Sequence, residues 1–319
     1  MRLASPAPSR RRLSRSERAR RAGPIAIHYD GVAPRSELRA VGISRDDVRS
    51  EVAAGRWVAL GRQTVLVSGE RWSRRSAWFH AIWESGAGAA LDGIAALHAG
   101  GLTGFEHDII DIAIPTRNRR HRVQRVRLRQ YRAMPPLVGG GVPRVRPEIA
   151  AIHAAQWAST DRTAALILCL VVGQRIVLPE HLLRAFTEVT RCARRRVLAG
   201  VIADICDGVR SVNELDFARL CRRYGLPPPS RQVVRQLPGG RVYLDVSWDD
   251  VDLVVEIDGG HHLEALNPML DALRSNEVVL TNATVLRIPT LGLRLEEARF
   301  MHQVVRAHEA ARLRHARTA

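Results

Sequence analysis

The sequence contains no lysine, so all 49 of its basic residues are arginines, against 32 acidic residues. Its apolar stretches are short: the longest, at residues 164–173, ends at a glutamine and an arginine, whereas a membrane-spanning helix needs about 20 apolar residues. The four cysteines show no CxxC spacing, which argues against a disulfide framework or a cysteine zinc site. We therefore expect a cytoplasmic protein with reduced thiols and no membrane segment.

The net charge of +17 is concentrated in two segments. Residues 1–23 and 117–132 each contain eight arginines, and together they carry 15 of the 17 net charges. Such an excess indicates a polyanionic partner, above all nucleic acid. We expect residues 1–23 to form a disordered basic tail, either a solvated arm or a contact to nucleic acid that ignores base sequence.

Residues 24–69 have the pattern of a winged helix, with two short helices followed by two alternating apolar runs joined across a glycine and an arginine. Ser44 fits the N-cap of the second helix, with Asp47 three residues further on. This helix would present Arg45, Arg49 and Ser50 to a DNA groove. The alternative is a small helical scaffold that does not contact DNA.

Residues 70–210 are predicted to form a mostly helical connector, interrupted by strands near 109–115 and 125–132. The second strand alternates arginines with apolar residues, so Arg125, Arg127 and Arg129 would share one face of a sheet. Guanidinium groups at that spacing suit a phosphate backbone. The alternative is a solvated face without a ligand.

The C-terminal part contains a predicted hairpin, with strands at 241–248 and 251–258 and a turn at Asp249 and Asp250. An even-numbered loop keeps the apolar residues of both strands on one face, because an odd loop would bury carboxylates among them. The two-residue turn would place Asp245 opposite Val254, with Glu256 as its diagonal neighbour.

The opposite face of this hairpin would carry Asp245, Glu256 and Asp258. Between residues 245 and 258 the sequence has six acidic residues and no basic one. A divalent cation would relieve the repulsion between these carboxylates, and oxygen ligands favour Mg²⁺ or Mn²⁺. The pattern therefore predicts metal-assisted chemistry on a phosphodiester.

The N-terminal half resembles AbiEi-type antitoxins, on the motifs GIS at 42–44, GRWV at 55–58 and AALDGIAAL at 89–97. The similarity covers roughly residues 25 to 135. The family consists of winged-helix regulators of abortive-infection toxin–antitoxin pairs. The resemblance implies DNA binding and, as protein partners, a toxin or a second copy of the chain.

Residues 211 to 315 resemble the PD-(D/E)XK nuclease superfamily, near the very-short-patch-repair endonucleases. The matching residues include Leu244-Asp245, Val255-Glu256-Ile257-Asp258-Gly259, His262, Arg274 and Val285-Leu286-Arg287. The resemblance implies that Asp245 and Glu256 bind the metal and that Glu214 completes the site. The superfamily pattern has lysine where this chain has Asp258, which leaves the general base to His262, or to His261, and a role in charge stabilisation to Arg274.

We therefore expect a multidomain α/β (α+β) protein. Its segments would be a basic tail (1–23), a winged helix (24–69), a helical connector with a basic strand (70–210) and a restriction-endonuclease-like mixed sheet flanked by helices (211–319). The predicted function is a Mg²⁺- or Mn²⁺-dependent DNA endonuclease. The alternative is a DNA-binding regulator of antitoxin type whose nuclease fold is vestigial, and RNA remains an alternative to DNA because arginines contact backbone charge rather than bases.

Overall fold

The computed structural model describes residues 13–67, 72–119, 122–206, 217–236, 242–258, 272, 276 and 285–318. These residues form twelve helices and ten strands in three small sheets, which confirms a mixed α/β protein. The chain divides into two compact units. Unit 1 comprises Met1–Ala99 and His107–Arg146, and unit 2 comprises Gly100–Glu106 and Pro147–Ala319. The predicted connector is thus divided between the two units.

Unit 1 begins with three helices and an antiparallel three-stranded sheet in the order β1–β3–β2. The elements are α1 (Arg15–His28), β1 (Val32–Pro34), α2 (Arg35–Ala40), α3 (Arg45–Ala53), β2 (Trp57–Ala59) and β3 (Thr64–Val67). Buried apolar residues of all three helices and the sheet form one core, with Leu38, Ile43 and Val65 fully enclosed. The predicted start of α3 is confirmed, because the Ser44 side chain accepts a hydrogen bond from the Asp47 backbone N–H and Asp47 reciprocates.

Helix α1 corrects the prediction of a disordered tail, which is wrong from Arg15 onward. Ser14 and Glu17 form a capping box at the start of α1, and Ala22 and Ala26 are buried in the core. The Ser14–Glu17 spacing was visible in the sequence as a helix start. The arginines around it obscure this signal, because a high density of like charges is itself typical of disordered segments.

The second half of unit 1 is a helical layer with a mixed three-stranded sheet, in the order β4–β5–β6. Its elements are α4 (Arg74–Ser85), β4 (Ala90–Leu91), α5 (Gly93–Ala99), β5 (Ile110–Pro115) and β6 (Val126–Tyr131). The two strands predicted from the sequence are present as β5 and β6, and they pair in parallel.

Unit 2 begins with helices and continues into a four-stranded sheet. The helices are α6 (Pro147–Trp157), α7 (Asp161–Gly173), α8 (Pro179–Glu188), α9 (Arg195–Cys206) and α10 (Phe217–Arg223). The strands are β7 (Arg231–Gln236), β8 (Val242–Trp248), β9 (Leu253–Asp258) and β10 (Val285–Pro289), followed by α11 (Thr290–Leu295) and α12 (Glu297–Thr318). In the parts of the chain that the structure describes, none of the helices combines the length and the apolar character needed to cross a bilayer.

The sheet of unit 2 has the order β10–β9–β8–β7. Strands β7, β8 and β9 are antiparallel neighbours, whereas β10 runs parallel to β9. The sheet is therefore mixed and flanked by helices, as predicted, but β7 is an additional strand. Helix α12 covers the apolar face, where Phe300, Met301 and Val304 are fully buried.

Candidate functional site

The β8–β9 hairpin places Asp245 directly opposite Glu256. The predicted register, with Asp245 opposite Val254, is wrong by two residues, because Val254 pairs with Ser247. The loop contains four residues rather than two: Trp248 pairs with Leu253, and Asp252 adopts the left-handed conformation with φ 53°. The longer loop shifts every pair by two positions and keeps the same faces.

The assignment of faces follows the predicted parity. Six residues of one face are each at most 3% exposed, namely Leu244, Val246, Trp248, Leu253, Val255 and Ile257. Asp245 and Glu256 lie on the other face and are partly exposed. Directly opposed residues of antiparallel strands have Cβ atoms about 4.5–5.5 Å apart, so these two carboxyl groups can approach the same ligand.

A third charged residue, Arg287, belongs to this face and was not predicted as a site residue. Strand β10 pairs in parallel with β9 and sets Arg287 beside Glu256. The guanidinium Nε donates to Glu256 Oε2 at 3.0 Å. The sequence does not predict this contact, because residues 259–284 separate the two strands and no short turn fixes their register.

Of the other residues predicted for the nuclease-like site, only Asp258 belongs to the part of the chain that the structure describes. Asp258 ends β9 and pairs with Tyr243 and, on β10, with Pro289. Glu214, His261, His262 and Arg274 lie outside the described residues. Within the described ranges, no group of three or more histidine, cysteine, aspartate or glutamate residues is arranged to hold a metal ion.

A second candidate site is a groove of about 380 Å³ in unit 1, formed by α2, α3 and the β2–β3 hairpin. None of the described residues that line it is acidic, and five are arginines: Arg35, Arg39, Arg45, Arg49 and Arg62. Arg45 and Arg49 were predicted as nucleic-acid contacts and are exposed on α3. The other three were missed, because they come from α2 and the hairpin turn and meet α3 only in the folded chain.

The acidic residues of α3 do not enter this groove. Asp47 and Glu51 are buried, at 5% and 3% exposed, and Arg18 of α1 binds both carboxylates, at 3.1 Å and 2.6 Å. Arg56 also donates to Glu51, at 2.5 Å. Repulsion between these two carboxylates and a phosphate backbone is therefore largely neutralised.

The pKa values of both carboxyl groups are shifted downward. Burial by itself would raise the pKa of Asp47, but hydrogen bonds from Ser44 and Arg18 outweigh it and leave the pKa below its ordinary value. The hydrogen bond from Arg56, assisted by Arg18, lowers the pKa of Glu51 against the opposing effect of burial. Both residues are thus held as anions that bind α1 to α3.

Glu84 of α4 fixes the tip of the β2–β3 hairpin. Its carboxylate accepts hydrogen bonds from the backbone N–H of Arg62 and Gln63 and from the Thr64 hydroxyl, at 3.1, 2.8 and 2.7 Å. A Cβ atom at Gly61 would lie 2.6 Å from the same carboxyl group, so a side chain at this position would displace the Glu84 carboxylate. The position of Arg62 in the groove is therefore determined by α4 as well as by the hairpin.

The arginines of β6 are not a free basic surface. Arg127 forms a two-point ion pair with Asp111 of β5, at 2.7 and 2.8 Å, and Arg129 Nε lies 3.4 Å from the same carboxylate. Asp111 is only 1% exposed. Arg127 and Arg129 do share a face, as the alternation predicted, but they share it with a buried carboxylate. Arg127 and Arg129 are thus bound to an internal anion, whereas Arg125, which precedes β6, is exposed; the interpretation of this row as a phosphate-binding surface stays a prediction.

A tyrosine continues this polar cluster. The Tyr131 hydroxyl donates to Asp92 at 2.9 Å, and Asp92 is fully buried. Burial raises the pKa of Tyr131 strongly, and the Asp92 carboxylate adds to the shift. The cluster thus joins β5, β6 and the residue that follows β4 around two buried carboxylates, Asp92 and Asp111, which is a structural role.

Two arrangements of side chains in the structure could bind a ligand. The adjacent carboxylates Asp245 and Glu256 can bind a hard cation, and the arginine groove can bind a chain of phosphates. These capacities follow from the geometry alone. A scan against protein-family models found no match to this chain, and a search of curated proteins found none either.

Proposed function

We propose that the protein is a metal-dependent nuclease that hydrolyses phosphodiester bonds in DNA, and that its N-terminal module is a winged helix that binds the DNA. The observation that carries this proposal is the direct pairing of Asp245 with Glu256 across β8 and β9, on the polar face of the sheet.

The carboxylate pair fits a hard divalent cation. Asp245 and Glu256 contribute only oxygen ligands, and both remain partly open to solvent while the opposite face is closed. Asp245 and Glu256 would hold Mg²⁺ or Mn²⁺, with Glu214 as the further ligand that the resemblance implies. The bound cation would supply Lewis-acid stabilisation of the charge on the scissile phosphate.

We assign DNA binding to the groove of unit 1. The order helix–strand–helix–helix–strand–strand, with a capped α3 beside a hairpin, is typical of winged-helix modules. Five arginines line the groove and none of its described lining residues is acidic, so it would attract a phosphate backbone without selecting bases. Base selectivity would have to come from exposed residues of α3, of which Arg45 and Arg49 have the required length.

A second function, a non-catalytic DNA-binding regulator, is favoured by one specific observation. Glu256 already has a cationic partner in Arg287, so the charge of one of the two carboxylates is compensated without a metal. In this alternative the groove alone carries the function and the sheet of unit 2 is a platform. Duplex binding would then be independent of divalent cations.

Plasmid cleavage distinguishes the two functions. Purified full-length protein is incubated with supercoiled plasmid and with single-stranded DNA, in Mg²⁺, in Mn²⁺ and in EDTA. We expect nicking with either metal, no nicking in EDTA, and loss of nicking in Asp245→Ala and Glu256→Ala. Asp250→Asn, an exposed acid in the loop of the same hairpin, is the matched control and retains activity.

Intact DNA under all conditions, together with tight metal-independent binding to duplex, would contradict the nuclease and support the regulator. Nicking that persists in both carboxylate variants would show that the reaction occurs elsewhere or comes from a contaminant.

A further inference from the structure

Arg287 occupies an unusual position on the polar face of unit 2. Its guanidinium binds Glu256 at 3.0 Å, yet its side chain is 78% exposed, compared with 31% for Glu256. An exposed ion pair of this kind contributes little to stability. Arg287 can therefore leave Glu256 for another anion at little cost in stability.

The backbone of Arg287, in contrast, is held firmly. The side-chain amide of Asn276 accepts from the Arg287 backbone N–H at 3.1 Å and donates to the Arg287 carbonyl at 3.0 Å. The same amide donates to Gln303 of α12 at 3.2 Å, and Asn276 and Gln303 are 2% and 4% exposed. A buried amide network thus satisfies the outer edge of β10 at this one residue.

A fixed backbone and an exposed guanidinium together give Arg287 a choice of two anions. It can hold the Glu256 carboxylate, or it can turn outward to a phosphate, for which the planar guanidinium is well suited. A cation bound at Glu256 would repel Arg287 and favour the second arrangement. A phosphate bound to Arg287 would leave Glu256 available for the cation, and the two effects must be equal in size.

We propose that Arg287 is the phosphate-binding cation of this face and that its exchange between Glu256 and phosphate couples metal binding to nucleic-acid binding. This role rests on the proposed function, because it assumes that Asp245 and Glu256 hold a divalent cation. It also assigns a positive charge to a site whose chain contains no lysine.

Mn²⁺ binding without DNA tests the competition directly, and it does not depend on catalysis. Mn²⁺ is titrated into the full-length protein and followed by the electron paramagnetic resonance signal of the free ion. Removing one positive charge beside the cation in Arg287→Gln is expected to tighten Mn²⁺ binding on the order of tenfold. Arg287→Lys keeps the charge and is expected to bind Mn²⁺ within about threefold of the wild type.

Arg223→Gln is the matched control, because Arg223 is another exposed arginine of unit 2 paired with a glutamate, Glu297. It produces the same change in net charge and is expected to leave Mn²⁺ affinity unchanged. A second measurement uses a short duplex in EDTA, where Arg287→Gln should weaken binding and reduce the slope of log affinity against log salt by about one.

The outcomes separate this role from the nuclease proposal. Equal Mn²⁺ affinity of the wild type and Arg287→Gln overturns the role of Arg287, whether or not the wild type nicks DNA. Tighter Mn²⁺ binding and weaker DNA binding in Arg287→Gln support it, even if the wild type cleaves nothing and the nuclease proposal fails. If neither the wild type nor any of the variants binds Mn²⁺, both the role of Arg287 and the nuclease proposal are overturned.

Discussion

Two regions of unit 1 are rich in arginine but differ in the surroundings of those arginines. The groove of α2, α3 and the β2–β3 hairpin gathers five arginines with no acidic residue among its described lining. In β6, Arg127 and Arg129 converge on the buried carboxylate of Asp111 instead. The comparison teaches that the role of an arginine depends on whether the fold supplies an anion. The groove leaves room for the anion of a ligand, whereas in β6 a buried carboxylate of the sheet already takes that place.

The same contrast exists within α3. Its acidic residues Asp47 and Glu51 face inward and are neutralised by Arg18 and Arg56. Its arginines face outward, and only Arg49 has an acidic partner among the described residues, an exposed pair with Asp46 at 3.2 Å. Two of the three acidic residues of α3, Asp47 and Glu51, are therefore used for folding, whereas Asp46 and both arginines are exposed.

The largest effect is expected from Asp111→Asn, which removes the negative charge that pairs with Arg127 and Arg129 of β6. Breaking a buried ion pair leaves the partner uncompensated and costs about 3 kcal/mol, at the lower end for such pairs because Arg127 is partly exposed. Denaturant unfolding should show this loss. Asp108→Asn, an exposed acid close by in sequence, should change the unfolding free energy by less than about 0.5 kcal/mol.

If Asp111→Asn were as stable as the wild type, Arg127 and Arg129 would not need their internal anion. The two regions would then be alike, and the row on β6 would again qualify as a phosphate-binding surface.

A smaller effect is expected from Glu51→Gln in α3, which should change how the unfolding free energy depends on pH. The pKa values of Asp47 and Glu51 are lowered by their hydrogen bonds to arginine and serine. Their stabilisation is therefore fully present above the ordinary carboxyl pKa of about 4 and is lost as the pH falls through the lower folded-state values. Between about pH 5 and about pH 2, Glu51→Gln should lose less unfolding free energy than the wild type does.

Parallel stability curves for Glu51→Gln and the wild type would contradict the internal role of this carboxylate. Asp46→Asn, exposed on the same helix, serves as the control and should follow the wild-type curve.

The smallest effect is expected in the groove itself, where binding rather than folding should change. Replacing Arg39 and Arg45 together by alanine should lower duplex affinity about tenfold and reduce the salt slope by about two, because two phosphate contacts are lost. Fluorescence anisotropy over a series of salt concentrations measures both quantities. Unfolding free energy should not change, since both side chains are exposed.

A pair of exposed arginines outside the groove, Arg184 and Arg312, gives the same change in net charge and serves as the control. If alanine at these two positions weakened binding equally, the groove would have no special role and the interaction would reflect net charge alone.

Local features of the fold could be predicted from the sequence because they depend on neighbouring residues. The alternation of apolar and polar residues in β8 and β9 determined that Asp245 and Glu256 share a face, since the other parity would bury carboxylates. The serine at position 44 determined where α3 begins, since its side chain caps a backbone N–H only three residues away. The capping box at Ser14 and Glu17 was equally local and could have been predicted.

Tertiary structure decided which charges meet. The length of the hairpin loop set Asp245 opposite Glu256, and the parallel pairing of β10 brought Arg287 to the same row. The pairing of β5 with β6 gave Arg127 its carboxylate, and the docking of α1 supplied Arg18 to Asp47 and Glu51. Periodicity along the chain fixes the direction of a side chain, but its partner is fixed by packing between segments far apart in sequence.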